Sequence, residues 1–434
     1  MIKTESPWML SLQRNRPLHR LTSNADTDIV IIGGGVSGMI LAHALLTETN
    51  KRVILVEKNH LSSGASGHNA GQAVAAFEVP YSQLVETYGR ELTDQTYTEV
   101  NNAFSSLEAI TAYASFAMLE VEALASFLNL EAAKERLNTP GSTTLYVSDD
   151  NDETAVHLDD FKEKVWSSKY VAAVGYKAGI VNCPVLLEKL ATRLLQEYEG
   201  RFNIYEETKA ERIILKDDGA TIECGRYTLH SDFVAFCTNG YGDFELVADQ
   251  PAAANESIQP VAGYMIGELE APAPIGVRSY IPLDRTEPYY YVTRRDAGRE
   301  SLTCTGGLDT RMKNWQDIET WTAEDERKCS QIESFLLRNL EGFSGPRDFQ
   351  WKGLMAYTKT GVRLAGKDPQ IDSLYYSLGC NGIGILPAVV SAEIITKQIM
   401  GEEAPRTFFD PGLQRPSSTG NPEEIQLVSP PSRE

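Results

Sequence analysis
At 434 residues the chain can bury a large core and has room for two or three domains. Its composition is ordinary for a soluble globular protein, and a formal net charge of −20 disfavours nucleic acid or an anionic membrane surface as a partner. The six cysteines (Cys183, Cys224, Cys237, Cys304, Cys329, Cys380) are scattered without C-x-x-C or companion histidines, which argues against a zinc site or a disulfide framework and for a reducing cytoplasm.

Residues 1–25 read as an irregular arm lying across the first domain; they carry Arg14, Arg16 and Arg20 but no apolar core or cleavage site of a signal peptide. No run in the chain has the length of a membrane span, so a soluble, unprocessed, cytoplasmic protein is expected. Residues 29–32, Ile-Val-Ile-Ile, are short, β-branched and followed at once by glycines, as a buried parallel strand should be.

Gly33, Gly35 and Gly38 then fit G-x-G-x-x-G: a tight turn, close backbone approach to a pyrophosphate, and close packing of helix on strand. The following helix offers unpartnered N–H groups, around Val36 and Ser37, to phosphate oxygens. A second strand, residues 53–56, ends in Glu57 and Lys58, where a carboxylate is placed to accept ribose hydroxyls. An acidic residue there argues against a 2′-phosphate. Residues 64–72, with Gly64, Ala65, Ser66, His68, Asn69, Ala70, Gly71 and Gln72, form a second small-residue turn suited to the other phosphate and a flavin edge.

Residues 84–130 carry helix-period apolar positions and read as a helical insertion. A short strand at 143–147 and an acidic turn at 149–160 follow, then an amphipathic helix through Leu186, Leu190 and Leu194. Residues 204–206, 213–215 and 221–224 suit a small antiparallel layer over the sheet, and 233–237 a buried strand ending in Thr238 and Asn239. Tyrosine-rich β-type runs occupy 260–307. Residues 351–358, 361–366 and 374–384 repeat the strand, glycine-turn, helix pattern, with Gly382, Ile383 and Gly384 before the last helix. Beyond residue 403 a proline-rich polar composition predicts a mobile tail.

The glycine turn, Glu57 and the Gly64-Ala-Ser-Gly-x-Asn-x-Gly-Gln segment resemble the D-amino-acid oxidase/glycine oxidase superfamily of FAD-dependent amine oxidoreductases, and most resemble its gamma-glutamylputrescine oxidase branch. The resemblance, over about residues 26–400, implies an α/β fold. A Rossmann-type FAD-binding domain of the two-dinucleotide-fold, glutathione-reductase-like kind is joined to an antiparallel β-sheet substrate domain. The expected FAD-binding domain is discontinuous, residues 26–83, 160–245 and 350–402. The insertion 84–159 and residues 246–349 form the substrate domain, and 403–434 the tail. The last helix is expected to aim its N-terminus at the flavin pyrimidine.

The implied chemistry is oxidation of a primary or secondary amine by hydride transfer to flavin, with no metal or catalytic triad, and electrons passed to oxygen or another acceptor. Alternatives are an amino-acid or N-methylamine dehydrogenase, or a flavin-binding subunit without activity, the latter motivated by Lys359 and Arg363. Glycine-oxidase-like members carry an arginine for the substrate carboxylate in W-x-G-L-R-P-x-T; here Met355 stands in that place. An aromatic wall is therefore expected to receive an ammonium, drawn from Tyr264, Tyr289, Tyr291, Trp351 and Tyr357. Trp351, Tyr357 and Arg294 are the candidate catalytic residues, with Arg295 and Arg363 as further carboxylate partners. His68 matches a flavin-linked histidine of some relatives, but non-covalent FAD is expected; Cys380 reads as an inert small residue near the flavin.

Overall fold
Ile29 and Ile31 pack beneath helices while Val30 and Ile32 face the opposite layer, so residues 29–32 are buried on both sides. The computed structural model describes residues 2–148, 154–216, 219–254, 258–282, 288–343 and 345–413. In it Ala25–Ile32 lies in parallel between Val53–Val56 and Tyr227–Phe236. Phe202–Tyr205 extends this sheet beyond Val53–Val56, and Leu374–Leu378 extends it beyond the C-terminal half of Tyr227–Phe236, both in parallel. Helices Val36–Glu48, Cys183–Glu197 and Ile385–Met400 pack together over one face.

The antiparallel layer expected from residues 204–206, 213–215 and 221–224 is part of the sheet itself. Phe202–Tyr205 is a parallel edge strand, and Arg212–Lys216 with Gly219–Cys224 continues the sheet antiparallel to the first half of Tyr227–Phe236. The ten-residue strand Tyr227–Phe236 is long enough to serve both neighbours at once.

Among the described residues the second sheet has ten strands, mostly antiparallel, with Gly276–Ile281 parallel to Leu119–Phe127. Residues 84–130 are therefore only partly helical: Tyr81–Tyr88 and Arg90–Tyr113 are helices, whereas Leu119–Phe127 is a strand of this sheet. Its Leu-Glu-Val-Glu start alternates, and alternation outweighs the helical spacing of a few leucines. Ala172–Ile180, expected with the first domain, pairs with Leu119–Phe127, Ser142–Val147 and Gln72–Val74 in the second sheet. Phe349–Thr358, likewise expected with the first domain, is an edge strand paired along its length with Ile258–Glu270.

The arm is more than a cover. Trp8 is buried, and Arg16 is paired with Glu188 at 3.1 Å and Glu206 at 2.6 Å, tying residues 2–25 to the helix and strand ends of the first sheet. Residues 403–413 are also anchored: Phe408 and Phe409 are fully buried and pack against Phe77. Two adjacent phenylalanines outweigh the polar composition around them. The rest of the expected mobile tail, and the start of the acidic turn at 149–153, lie outside the described residues.

Candidate active site
The turn after Ala25–Ile32 depends on glycine at two places. A Cβ on Gly33, where φ is +113°, would lie 2.6 Å from Cys237 O, and one on Gly38 would lie 2.0 Å from Gly33 O. Helix Val36–Glu48 therefore starts close against the sheet, with Val36 N–H donating to Ser66 Oγ at 2.9 Å. The Glu57 carboxylate accepts from Gly34 N at 2.8 Å and Asn59 N at 2.9 Å, while burial pushes its pKa up. Lys58 Nζ sits over the Trp315 and Tyr241 rings and 3.4 Å from Asp243.

These groups open onto one cavity of about 230 Å³, shared by both sheets. Every candidate cofactor residue lines it except Gly38 and Gly71, which act by packing: a Cβ on Gly71 would lie 2.7 Å from the Trp8 ring. The second turn is the short helix Ala65–His68, where His68 Nδ1 bonds Gly64 O at 2.8 Å. Desolvation lowers the His68 pKa, so its ring is neutral near pH 7. Asn69 Oδ1 accepts from Gly71 N at 2.8 Å, and Thr293 accepts from Gln72 and donates to Ala70 O, both at 2.8 Å. Asn239, at φ +52°, accepts from Cys380 N at 3.1 Å. Arg363 donates to Ser37 Oγ and to Ser377 Oγ, placing a buried guanidinium beside the first turn of the helix.

The other end of the cavity is where strand parity decides roles, because successive side chains point to opposite faces. Trp351, Gly353, Met355 and Tyr357 share one face of Phe349–Thr358. Gly353 and Met355 line the cavity. Trp351 lies beneath it, buried, donating from Nε1 to His68 O at 3.0 Å, so it is a packing residue and not a wall of the cavity. Tyr289 and Tyr291 line the cavity, whereas Tyr264 points away and donates to Asp325 at 2.8 Å.

Arg294 is on the wrong face for the role expected of it. It pairs with Glu270 at 2.7 Å and stacks on Trp166. Arg295 stacks on Trp8. Among the arginines named from the sequence, only Arg363 reaches the cavity, at the helix N-terminus.

Two carboxyls unmarked by any sequence motif stand at this end. Glu78, from the loop after Gln72–Val74, lines the cavity and accepts from Tyr357 Oη at 2.7 Å; Asp309 Oδ2 lies 3.4 Å from the same hydroxyl. Burial, then repulsion from Asp309, pushes Glu78 up to about 8; burial pushes Asp309 up to about 6. A carboxylate inside the apolar stretch Ala-Phe-Glu-Val-Pro was the available signal for Glu78.

A family model, DAO: FAD dependent oxidoreductase, matches residues 28–398. The chain belongs to this family. Gamma-glutamylputrescine oxidoreductase of Escherichia coli is 30% identical over 89 residues, covering 20% of this chain and 20% of that protein. Probable oxidoreductase OrdL of Rhizobium meliloti is 28% identical over 233 residues, 51% of each chain. The matches thus span a fifth to a half of these curated relatives. Among solved structures, glycine oxidase from Bacillus cereus superposes with a TM-score of 0.66 at 18% identity, covering 87% of this chain and 96% of that one. The FAD oxidoreductase fold accounts for the two-sheet architecture. The cavity also fits FAD chemically: its lining brings together a glycine turn where a Cβ would collide with Cys237 O or Ser66 Oγ, a helix N-terminus with its N–H donors, the buried Arg363 cation and the Glu57 acceptor.

Proposed function
We propose that this FAD-dependent oxidoreductase oxidises a primary or secondary amine that carries no α-carboxylate. The observation that carries the reading is the charge at the tyrosine-lined end of the cavity. Met355 stands where glycine-oxidase-like sequences place arginine, and Glu78 lines the same end with Asp309 behind it. An α-carboxylate would meet these carboxyls without a cation to offset them. An ammonium meets the Glu78 carboxyl, backed by Asp309, and the rings of Tyr289 and Tyr291, which lie 5.7 Å apart.

Residues of the glycine turn, Glu57, Arg363 and the 64–72 turn would hold the cofactor. Bound there, the flavin would supply the hydride-accepting chemistry for the carbon beside nitrogen, leaving an imine for water to hydrolyse. The chain itself binds and orients the amine between Tyr289, Tyr291 and Glu78, and the buried walls exclude bulk water. His68 keeps its Nδ1 on Gly64 O, and we take the flavin as non-covalent, so acid precipitation should leave the yellow colour in the supernatant. The six cysteines stand as separate thiols, which supports a reducing, cytoplasmic setting.

The test is the visible spectrum of the purified protein mixed anaerobically with polyamines, N-methyl amines and α-amino acids. Bleaching by amines and not by α-amino acids is expected, and re-admitted oxygen then separates an oxidase from a dehydrogenase. Bleaching by α-amino acids alone would overturn the reading; a yellow protein bleached by nothing would favour the inactive flavin-binding subunit.

A further inference from the structure
An aliphatic amine in neutral water is almost wholly an ammonium ion, with a pKa of about 10. Its nitrogen must give up a proton before the neighbouring carbon can lose a hydride, because the lone pair drives that loss. The cavity has a group placed to take it.

Glu78 Oε2 accepts from Tyr357 Oη, and its Oε1 lies so close to Gly382 that a Cβ there would sit 1.8 Å away. Asp309 Oδ2 reaches the same Tyr357 hydroxyl, while Asp309 Oδ1 is buried with no hydrogen-bond partner. One phenol therefore stands between two buried carboxyls, which cannot both ionise at little cost. The remaining groups facing the pair are Tyr289 and Tyr291, held neutral by burial, and Cys380, whose thiol is pushed up by burial. Lys328, from helix Ala323–Asn339, acts on Asp309 from farther off and donates to Leu308 O at 3.3 Å. None of these is a better acceptor near neutral pH than the Glu78 carboxyl.

We propose that Glu78, supported by Asp309 through Tyr357, is the proton acceptor for the substrate ammonium. In this step an N–H bond of the ammonium breaks and an O–H bond forms on the carboxylate. The lone pair stays on nitrogen, and nothing is oxidised or reduced. The raised affinity of Glu78 for protons matches it to the task near neutral pH. This inference rests on the amine reading above.

The experiment uses flavin-loaded Glu78→Gln with the wild type beside it. Anaerobic flavin reduction by the amine that bleaches the wild type should fall by about 100-fold or more at pH 7. It should then recover by about tenfold per pH unit up to about pH 10, where the amine is neutral without help. A loss of equal size at every pH, or no loss, overturns the proposal. A second measurement needs no turnover: tert-butylamine, which has no C–H beside its nitrogen, is titrated against the flavin spectrum. Wild type should bind it about tenfold more tightly at pH 9 than at pH 7, levelling off above the Glu78 value of about 8, whereas Glu78→Gln should gain about tenfold per unit across the whole range. Identical titrations, or no binding to the wild type, overturn the proposal. If no amine bleaches the protein, the amine reading fails, yet the tert-butylamine titration still decides the role of Glu78.

Discussion

Tyr357 Oη donates to Glu78 Oε2 at 2.7 Å, joining two residues 279 positions apart, and so closes the second sheet onto the loop that leaves the 64–72 turn. This bond lowers the proton affinity of Glu78 against the opposing effect of burial. Tyr357→Phe should therefore push the Glu78 carboxyl further up. The acidic limb of flavin reduction moves to higher pH, with a loss of about tenfold at pH 7 that shrinks as pH rises. Stopped-flow reduction across pH 6–10 measures this, and an unmoved limb would separate Tyr357 from the proton chemistry.

Gly382 is tied to the same cluster. It has a φ of +74°, and a Cβ there would meet Glu78 Oε1 at 1.8 Å. Gly382→Ala should cost about 1–3 kcal/mol of stability and displace Glu78. The urea midpoint should drop together with tert-butylamine affinity; a drop in stability with unchanged affinity would mean that Gly382 does not position Glu78.

Met355 sets the charge of the site by being neutral. Met355→Arg should place a guanidinium near Glu78 and Asp309, reducing kcat/KM for the amine at least about tenfold, while Met355→Leu keeps it within about threefold. Steady-state assays on both variants check this. An arginine variant as active as the wild type would remove the argument from Met355 to the substrate class.

Stability should also depend on pH through the buried pair. Glu78 is pushed up to about 8 and Asp309 to about 6, so the folded chain holds protons that the unfolded chain has released above about pH 4. The raised pKa makes this contribution fully present at acid pH and lost as pH rises through the folded values. The slope is at most about −1.4 kcal/mol per pH unit for each such proton. Urea midpoints of substrate-free protein from pH 5 to 8 should fall more steeply for wild type than for Glu78→Gln. Parallel curves would contradict the shift.

The contiguous part of the site was legible in the sequence. Gly33, Gly35, Gly38 and Glu57 announce a strand, a tight turn and a helix N-terminus because that geometry is set by backbone sterics within some 30 residues. Met355 was legible too, as a departure at one position of a recognisable segment. What lay beyond reach was strand parity and long-range pairing. Arg294 looked as suitable as Tyr289 and Tyr291, since a one-residue shift in register exchanges the two faces of a strand and only tertiary packing fixes it; Trp351 shares the face of Gly353 and Met355 but is covered by the His68 backbone, a long-range contact. Leu119–Phe127 joined the second sheet through partners far along the chain, which no local period encodes. Glu78 and Asp309 became a pair only when Tyr357 came between them. Local backbone geometry at residues 33–38 and Glu57 was enough to announce a dinucleotide cradle; which charges face the cavity followed from packing alone, because burial and proximity, not residue type, set the proton affinity of a carboxyl.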